Sequence, residues 1–328
     1  MPIDRIFEIE WKAQHLLQEY RQQGPLIQLL SDEISTENTD LLVIQGSFDP
    51  PLVSHEELIQ KAVKMYRKLF STRNVAFLFL FSLSHVEKEV DLHNNSLLGY
   101  RVLMVKELLH SFSDEKVVQF MLGISNVGRY YELTDAIHRK FTDLGSIYFI
   151  MGTDVFSKLF DSKYYTKQLT EVLPKIFRSN FIVAGRGDII SVQEFETFLK
   201  SLNLPSEYAN LISFISLSKK LRYESSTKIR QQLSNEHNSK ILSVPNHVMS
   251  FLMKHQLYSK DSELIIQEVI VQITTKFVIK EGLSKIKCLK IIHDLLKEVK
   301  SNKEFKNQVV DEFQENKYLT LKDRIQKW

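Results

Sequence analysis

The sequence predicts an α/β protein built on an open parallel sheet with helices on both faces. Short apolar runs alternate along the chain with longer segments of helical period, the pattern of strand–helix–strand units. The chain has 328 residues, 43% of them hydrophobic, so it is long enough to bury a large core. Its 10 Gly and 7 Pro are too few for long flexible or Pro-rich linkers, and most of the chain is expected to be ordered.

Taken in order, Ile6, Ile9, Leu16, Leu17 and Tyr20 give a helical stripe closed by Gly24-Pro25. This predicts an N-terminal helical extension over residues 1–39. The strand candidates follow: Leu41 to Gln45, Val75 to Phe81, Val117 to Gly123, Ile147 to Met151, Phe181 to Ala184 and Leu211 to Ile215. After the first of them Ile59, Ala62, Val63, Tyr66, Leu69 and Phe70 recur at three and four residues, placing them on one helical face that covers the sheet. The α/β domain is expected over residues 40–258. Beyond Tyr258 come Lys-rich segments such as KIKCLKIIHDLLKEVK, with Ile286, Leu289, Ile292 and Leu296 at helical spacing. They predict a C-terminal helical extension over residues 259–328, docked on the domain by its apolar stripe. No internal repeat or low-complexity segment is visible.

The net charge of +3 is carried after Ser259, and the body of the chain is neutral. That excludes the one-sided field of a nucleic-acid-binding surface. The longest apolar stretches, such as Val75 to Leu83, fall far short of a membrane span of roughly 20 residues. The start, MPIDRIFEIEWKAQ, carries early acids and lacks an apolar signal region. The single cysteine, Cys288, excludes a disulfide framework and a multi-thiolate metal site and fits a reducing compartment. The expectation is a soluble, cytoplasmic protein, with the nucleus and self-association left open.

The segment LLVIQGSFDPPLVSHEEL, Leu41 to Leu58, is the most informative. It reads as a strand, a Gly46-Ser47-Phe48-Asp49-Pro50-Pro51 turn and a helix, with Ser54 as N-cap, Glu57 completing a capping box and His55 on the first turn. Gly46 would let backbone approach a bound group closely, and a helix N-terminus presents unpaired N–H groups and partial positive charge to phosphate. Read alone, it is a capping motif with an incidental histidine. Far downstream, however, Ser225-Ser226-Thr227-Lys228-Ile229-Arg230 repeats the logic after another strand. Ser225, Thr227 and Arg230 together would offer two hydroxyls and a guanidinium to one polyphosphate.

This pairing resembles the nucleotidylyltransferase superfamily, and within it the nicotinamide or nicotinate mononucleotide adenylyltransferase branch. Further segments line up in order: Ser84-His85-Val86 with Lys88, Tyr100 to Met104, Met151-Gly152-Thr153-Asp154, Phe181 to Gly187 with Arg186, and Val244-Pro245 to Leu257-Tyr258. The resemblance covers roughly residues 40 to 258 and neither extension.

The resemblance implies a Rossmann-like, doubly wound parallel sheet with ATP bound across the strand C-termini. It implies that a pyridine mononucleotide attacks the α-phosphorus of ATP and pyrophosphate leaves. His55 and Arg230 would be catalytic; Gly46, Ser47, Phe48, Ser225, Ser226, Thr227, Gly152 and Asp154 would bind nucleotide; His85, Lys88 and Arg186 would add phosphate or substrate contacts. Mg²⁺ would arrive with the triphosphate, without a dedicated protein metal site. One departure stands out: the family places His or Thr three residues before the retained histidine, and here that residue is Leu52, which has no side-chain donor. Phe156 and Phe160, at helical spacing, read as core, and Tyr164 or Tyr165 as the aromatic nearest a pyridine ring. The competing readings are transfer to another phosphorylated acceptor, such as a pantetheine or choline phosphate, and a non-catalytic nucleotide-binding protein. The sequence does not choose between amidated and acid mononucleotide.

Overall fold

The computed structural model describes residues 3–32, 36–70, 73–83, 96–112, 119–165, 167–202, 204–235, 243–258, 262–315 and 318–327. Its sheet is made of β1 (Ile27–Leu29), β2 (Thr39–Gly46), β3 (Asn74–Ser82), β4 (Gln119–Ser125), β5 (Leu144–Gly152), β6 (Asn180–Ala184) and β7 (Ile212–Ile215), in the spatial order β1-β4-β3-β2-β5-β6-β7. Every pairing is parallel except that of β1 with β4. The helices in chain order begin with α1 (Ile3–Gln23), α2 (Val53–Leu69), α3 (Leu98–Leu109), α4 (Tyr130–Lys140), α5 (Thr153–Phe156), α6 (Leu169–Ile176) and α7 (Val192–Ser201). They continue with α8 (Ser206–Ala209), α9 (Ser226–Asn235), α10 (Asn246–Lys254), α11 (Ser262–Lys280), α12 (Lys285–Ser301), α13 (Lys303–Glu315) and α14 (Leu319–Gln326). This is a Rossmann-like, doubly wound α/β fold.

Alternation along the central strands feeds two cores. Leu42 and Ile44 of β2, with Phe77, Phe79 and Phe81 of β3, face a layer that includes α1, α2, α3 and the C-terminal helices. Leu41, Val43, Ala76, Leu78 and Leu80 face the opposite layer, built from α4, α5, α6 and α7. Strands buried on both faces explain the unbroken apolar runs seen in the sequence. The crossing order reverses between β2 and β5, which opens a crevice at their C-terminal ends.

All six expected strands are present, the third described from Gln119. Three details differ from expectation. The N-terminal segment is not only helical: Ile27–Leu29 joins the sheet antiparallel to β4, a three-residue strand too short to carry a period. On α2 Leu69 is exposed, while Phe70, just past the helix end, packs against the core with the rest of the stripe. On α12 the buried face is Cys288, Ile291, Ile292, Leu295 and Val299, and Ile286 is 83% exposed. The C-terminal helices dock on the α/β domain as expected, and Ile6, Phe7, Val102, Leu252, Ile270 and Ile291 lie in a single cluster that also takes in α1. No described helix is long and apolar enough to cross a membrane.

Candidate nucleotide site at the strand C-termini

Residues 47–52, which link β2 to α2, form the floor of the site. Phe48 adopts φ 48°, a left-handed conformation that costs a bulky residue about 1–2 kcal/mol. Its ring is held edge-on by Phe79 and Phe81, and by His55 at 5.4 Å, and is 2% exposed. A Cβ on Gly46 would lie 3.1–3.3 Å from three atoms of that ring. Gly46 therefore makes room for the Phe48 ring, and the Phe48 side chain belongs to the core, which leaves only the main chain of these two residues to meet a ligand. Ser47, next to them, is partly exposed.

The start of α2 is also corrected. Leu52, not Ser54, is the N-cap, with its side chain 1% exposed. The Leu52 N–H donates to Nδ1 of His55 at 2.9 Å, so the histidine plays the part that Glu or Gln takes in a capping box. An Nδ1 that accepts leaves the proton on Nε2, which becomes a neutral donor at the helix N-terminus. Burial, and then the nearby positive charge of Arg186, push the His55 pKa down to about 4. Glu57, freed from capping, ties the chain after β7 to α2 by accepting from Ser218 N–H at 3.0 Å and Ser218 Oγ at 2.8 Å.

The downstream motif arrives on the same floor. Ser226 Oγ donates to the Pro50 carbonyl at 3.0 Å, and Arg230 Nη1 donates to the Asp49 carbonyl at 2.6 Å. Arg230 Nη2 lies 3.4 Å from Thr227 Oγ1. The Ser225 carbonyl accepts the first intrahelical bond of α9, from Ile229 N–H, and Thr227 and Lys228 are exposed. Two helix N-termini from distant parts of the sequence thus meet on residues 49–52, each bringing positive partial charge.

The far wall comes from β5 and β6. Arg186 N–H donates to Thr153 Oγ1 at 3.1 Å, and its Nε lies 4.0 Å from Asp154. A Cβ on Gly152 would meet the Asp154 carboxylate and come within 2.8 Å of Arg186 Cγ, so this glycine permits their close approach. Arg186 Nη2 in turn donates to the Glu224 carbonyl at 2.9 Å. Asp154 is 61% exposed in its side chain and open to a ligand. Phe156 and Phe160 pack among Phe181, Phe177 and Phe198 as core, as the sequence predicts. Tyr165 OH donates to the Leu159 carbonyl, and Tyr164 lies under the Lys163 ammonium at 4.8 Å. His85 and Lys88 lie outside the described residues.

Sequence reasoning missed two residues. Glu224, immediately before the Ser-Ser-Thr run, accepts from the Ser54 N–H at 3.3 Å through its carboxylate, so a negative group from the chain sits at the α2 N-terminus. Asp49, with no exposure, collects hydrogen bonds from Ser96 and Tyr258. Both lie inside or beside the quoted motifs, but neither carries a period or spacing signal of its own.

Neither a family model nor a curated protein matches the chain. Among solved structures, that of a candidate nicotinate-nucleotide adenylyltransferase from Vibrio parahaemolyticus is similar, at 16% identity and a TM-score of 0.38, over 68% of this chain and 97% of that one. At this level of likeness, function has to come from the residues themselves.

Proposed function

We propose that the protein is a nucleotidylyltransferase that transfers the adenylyl group of ATP to a pyridine mononucleotide, NMN or nicotinate mononucleotide. The observation that carries this reading is the meeting of the α2 and α9 N-termini on one loop, through Ser226 to Pro50 and Arg230 to Asp49. Two such ends side by side suit a polyphosphate. In the reaction an oxygen of the mononucleotide phosphate bonds to the α-phosphorus of ATP, the bond from that phosphorus to the bridging oxygen breaks, and pyrophosphate leaves. The nucleophile is already anionic, so no base has to remove a proton. The protein's task is to bring two anions together and to stabilise charge on the transferring group.

His55 suits that task as a neutral donor through Nε2, and Arg230 as the cation facing the same phosphates. In this reading Arg186 and Asp154, just past the ends of β6 and β5, take the acceptor's phosphate and ribose; their contact at 4.0 Å and the exposure of Asp154 support it. Mg²⁺ would arrive with the triphosphate and would supply neutralisation of phosphate charge. Among the described residues no group of three His, Cys, Asp or Glu side chains is placed to hold a metal.

A second reading, a nucleotide-binding protein without transfer, is favoured by the buried, donor-less Leu52 and by the Glu224 carboxylate at the α2 N-terminus. The test is an acceptor panel with ATP and Mg²⁺: NMN, nicotinate mononucleotide, pantetheine phosphate and choline phosphate, with products identified by mass. A dinucleotide from either pyridine mononucleotide supports the first reading. ATP binding with no product from any acceptor leaves the second.

A further inference from the structure

Asp49 lies where four segments of the chain meet. Its carboxylate has no exposure and must find donors. Oδ1 accepts from Ser96 Oγ and from Tyr258 OH, each at 2.6 Å. The Ser96 N–H adds contacts of 3.3 and 3.4 Å. Oδ2 faces Arg230 Nη1 at 3.7 Å, while the same Nη1 donates to the Asp49 carbonyl. Arg230 thereby lies against both the main chain and the side chain of one residue. Nη1 lies on Asp49 and Nη2 near Thr227, and among the described residues no further partner takes the other N–H groups of this side chain, which keeps 14% exposure.

The tyrosine in this network comes from 209 positions away. It stands where the α/β domain ends and the C-terminal helices begin, and it adopts φ 64°, a left-handed conformation that bulky residues rarely take. The sharp turn delivers its hydroxyl to Asp49. Ser96 belongs to the approach to α3, whose first turn also receives a carboxylate from α1, because Gly99 N–H donates to Glu10 at 2.9 Å.

We infer that Tyr258 is a positioning residue of the nucleotide site: by holding Asp49 Oδ1 it fixes the plane of the carboxylate and hence the guanidinium of Arg230. The inference rests on the reading of this site as a triphosphate site. It gives the junction of the C-terminal helices a role in nucleotide binding that requires no contact between those helices and the ligand.

The test is a double-mutant cycle on the full chain, Tyr258→Phe with Arg230→Gln, read as the Kd for ATP with Mg²⁺ by titration calorimetry. Misfolded chain lowers the stoichiometry and leaves the Kd of the folded remainder unchanged, so the readout separates positioning from stability. Tyr258→Phe is expected to weaken ATP about tenfold at full stoichiometry, the size of one hydrogen bond to a charged group. In the Arg230→Gln background it should weaken ATP no further. Ser96→Ala, which removes the other hydroxyl from Oδ1, should behave in the same direction. A Kd for Tyr258→Phe within twofold of wild type, or losses that add in the double variant, would overturn the inference. Wild-type protein that binds no ATP removes the triphosphate reading and this inference with it. Wild type that binds ATP but transfers adenylyl to no acceptor removes only the transfer reading, since the cycle is still read on binding.

Discussion

At the scale of single residues, the site depends on the protonation state of His55. Its Nδ1 is occupied by the Leu52 N–H, and its pKa is pushed down to about 4 by burial and then by Arg186. Between about pH 4 and the ordinary value near 6.5, the unfolded chain binds a proton that the folded one refuses. The contribution of this histidine to stability is therefore complete above pH 6.5 and is lost as pH falls toward 4. Nitrogen-15 spectra of the imidazole should show the Nε2–H tautomer and a midpoint near pH 4; a midpoint at or above 6.5 contradicts the assignment. In His55→Asn an amide oxygen still accepts from Leu52 while the Nε2 donor is gone. That variant should keep its Tm within a few degrees and lose about 10²-fold in transfer rate, as removal of one oxyanion-type donor does. Glu224→Gln removes a negative charge from the α2 N-terminus, so inorganic pyrophosphate should bind about tenfold tighter by calorimetry. Unchanged or weaker binding would make Glu224 a cap and nothing more. The meeting of His55 and Arg230 on one loop was legible because each sits at a fixed place in a short motif. Glu224 and Tyr258 were not: their partners lie 170 and 209 positions away, a distance at which spacing says nothing.

At the scale of elements, the sequence pattern located strands better than helix ends. Unbroken apolar runs such as Val75 to Phe81 mark buried parallel strands whichever face they show, whereas a helix start depends on which backbone N–H finds a partner. Leu52 caps α2 with a backbone bond that no rule based on Ser, Thr, Asp or Asn can find. Helix α3 has an instructive N-terminus. Glu10 of α1 accepts from Gly99 N–H, and Glu268 of α11 faces the Leu97 N–H. Burial raises both carboxyl pKa values, that of Glu268 to about 8, with Asp49 and Glu10 adding negative charge there. Arg101 and Lys276 partly offset the rise at Glu10, and Tyr100 faces Glu268. A folded-state pKa raised above the ordinary 4.5 means that the unfolded chain releases its proton first, so stability is fully present below about pH 4.5 and declines as pH rises toward 8. The Tm of wild type should fall by several degrees more between pH 5 and 8 than that of Glu268→Gln. Parallel curves would remove Glu268 as the cause.

At the scale of the whole molecule, the fold class was legible, as was the docking of the C-terminal helices; that both ends of the chain enter one core was not. Composition separated two extensions from a central domain, yet Ile6 of α1, Leu252 of α10 and Ile291 of α12 share one core. The helical stripes gave the amphipathic faces, and nothing in a stripe states which surface covers it. Calorimetric unfolding should therefore show one cooperative transition. Chain truncated after Tyr258 should lose its native fold, because α11 to α14 cover the α1–α3 layer. Two separable transitions, or a stable truncated protein, would contradict the single core. The most direct measurement of the central claim is the fate of labelled phosphorus. ATP labelled at the α-phosphorus, incubated with Mg²⁺ and each pyridine mononucleotide, should pass its label into a dinucleotide while pyrophosphate appears unlabelled, and His55→Asn should slow both together. Label that remains in ATP, or appears only in AMP or ADP, would contradict adenylyl transfer at this site.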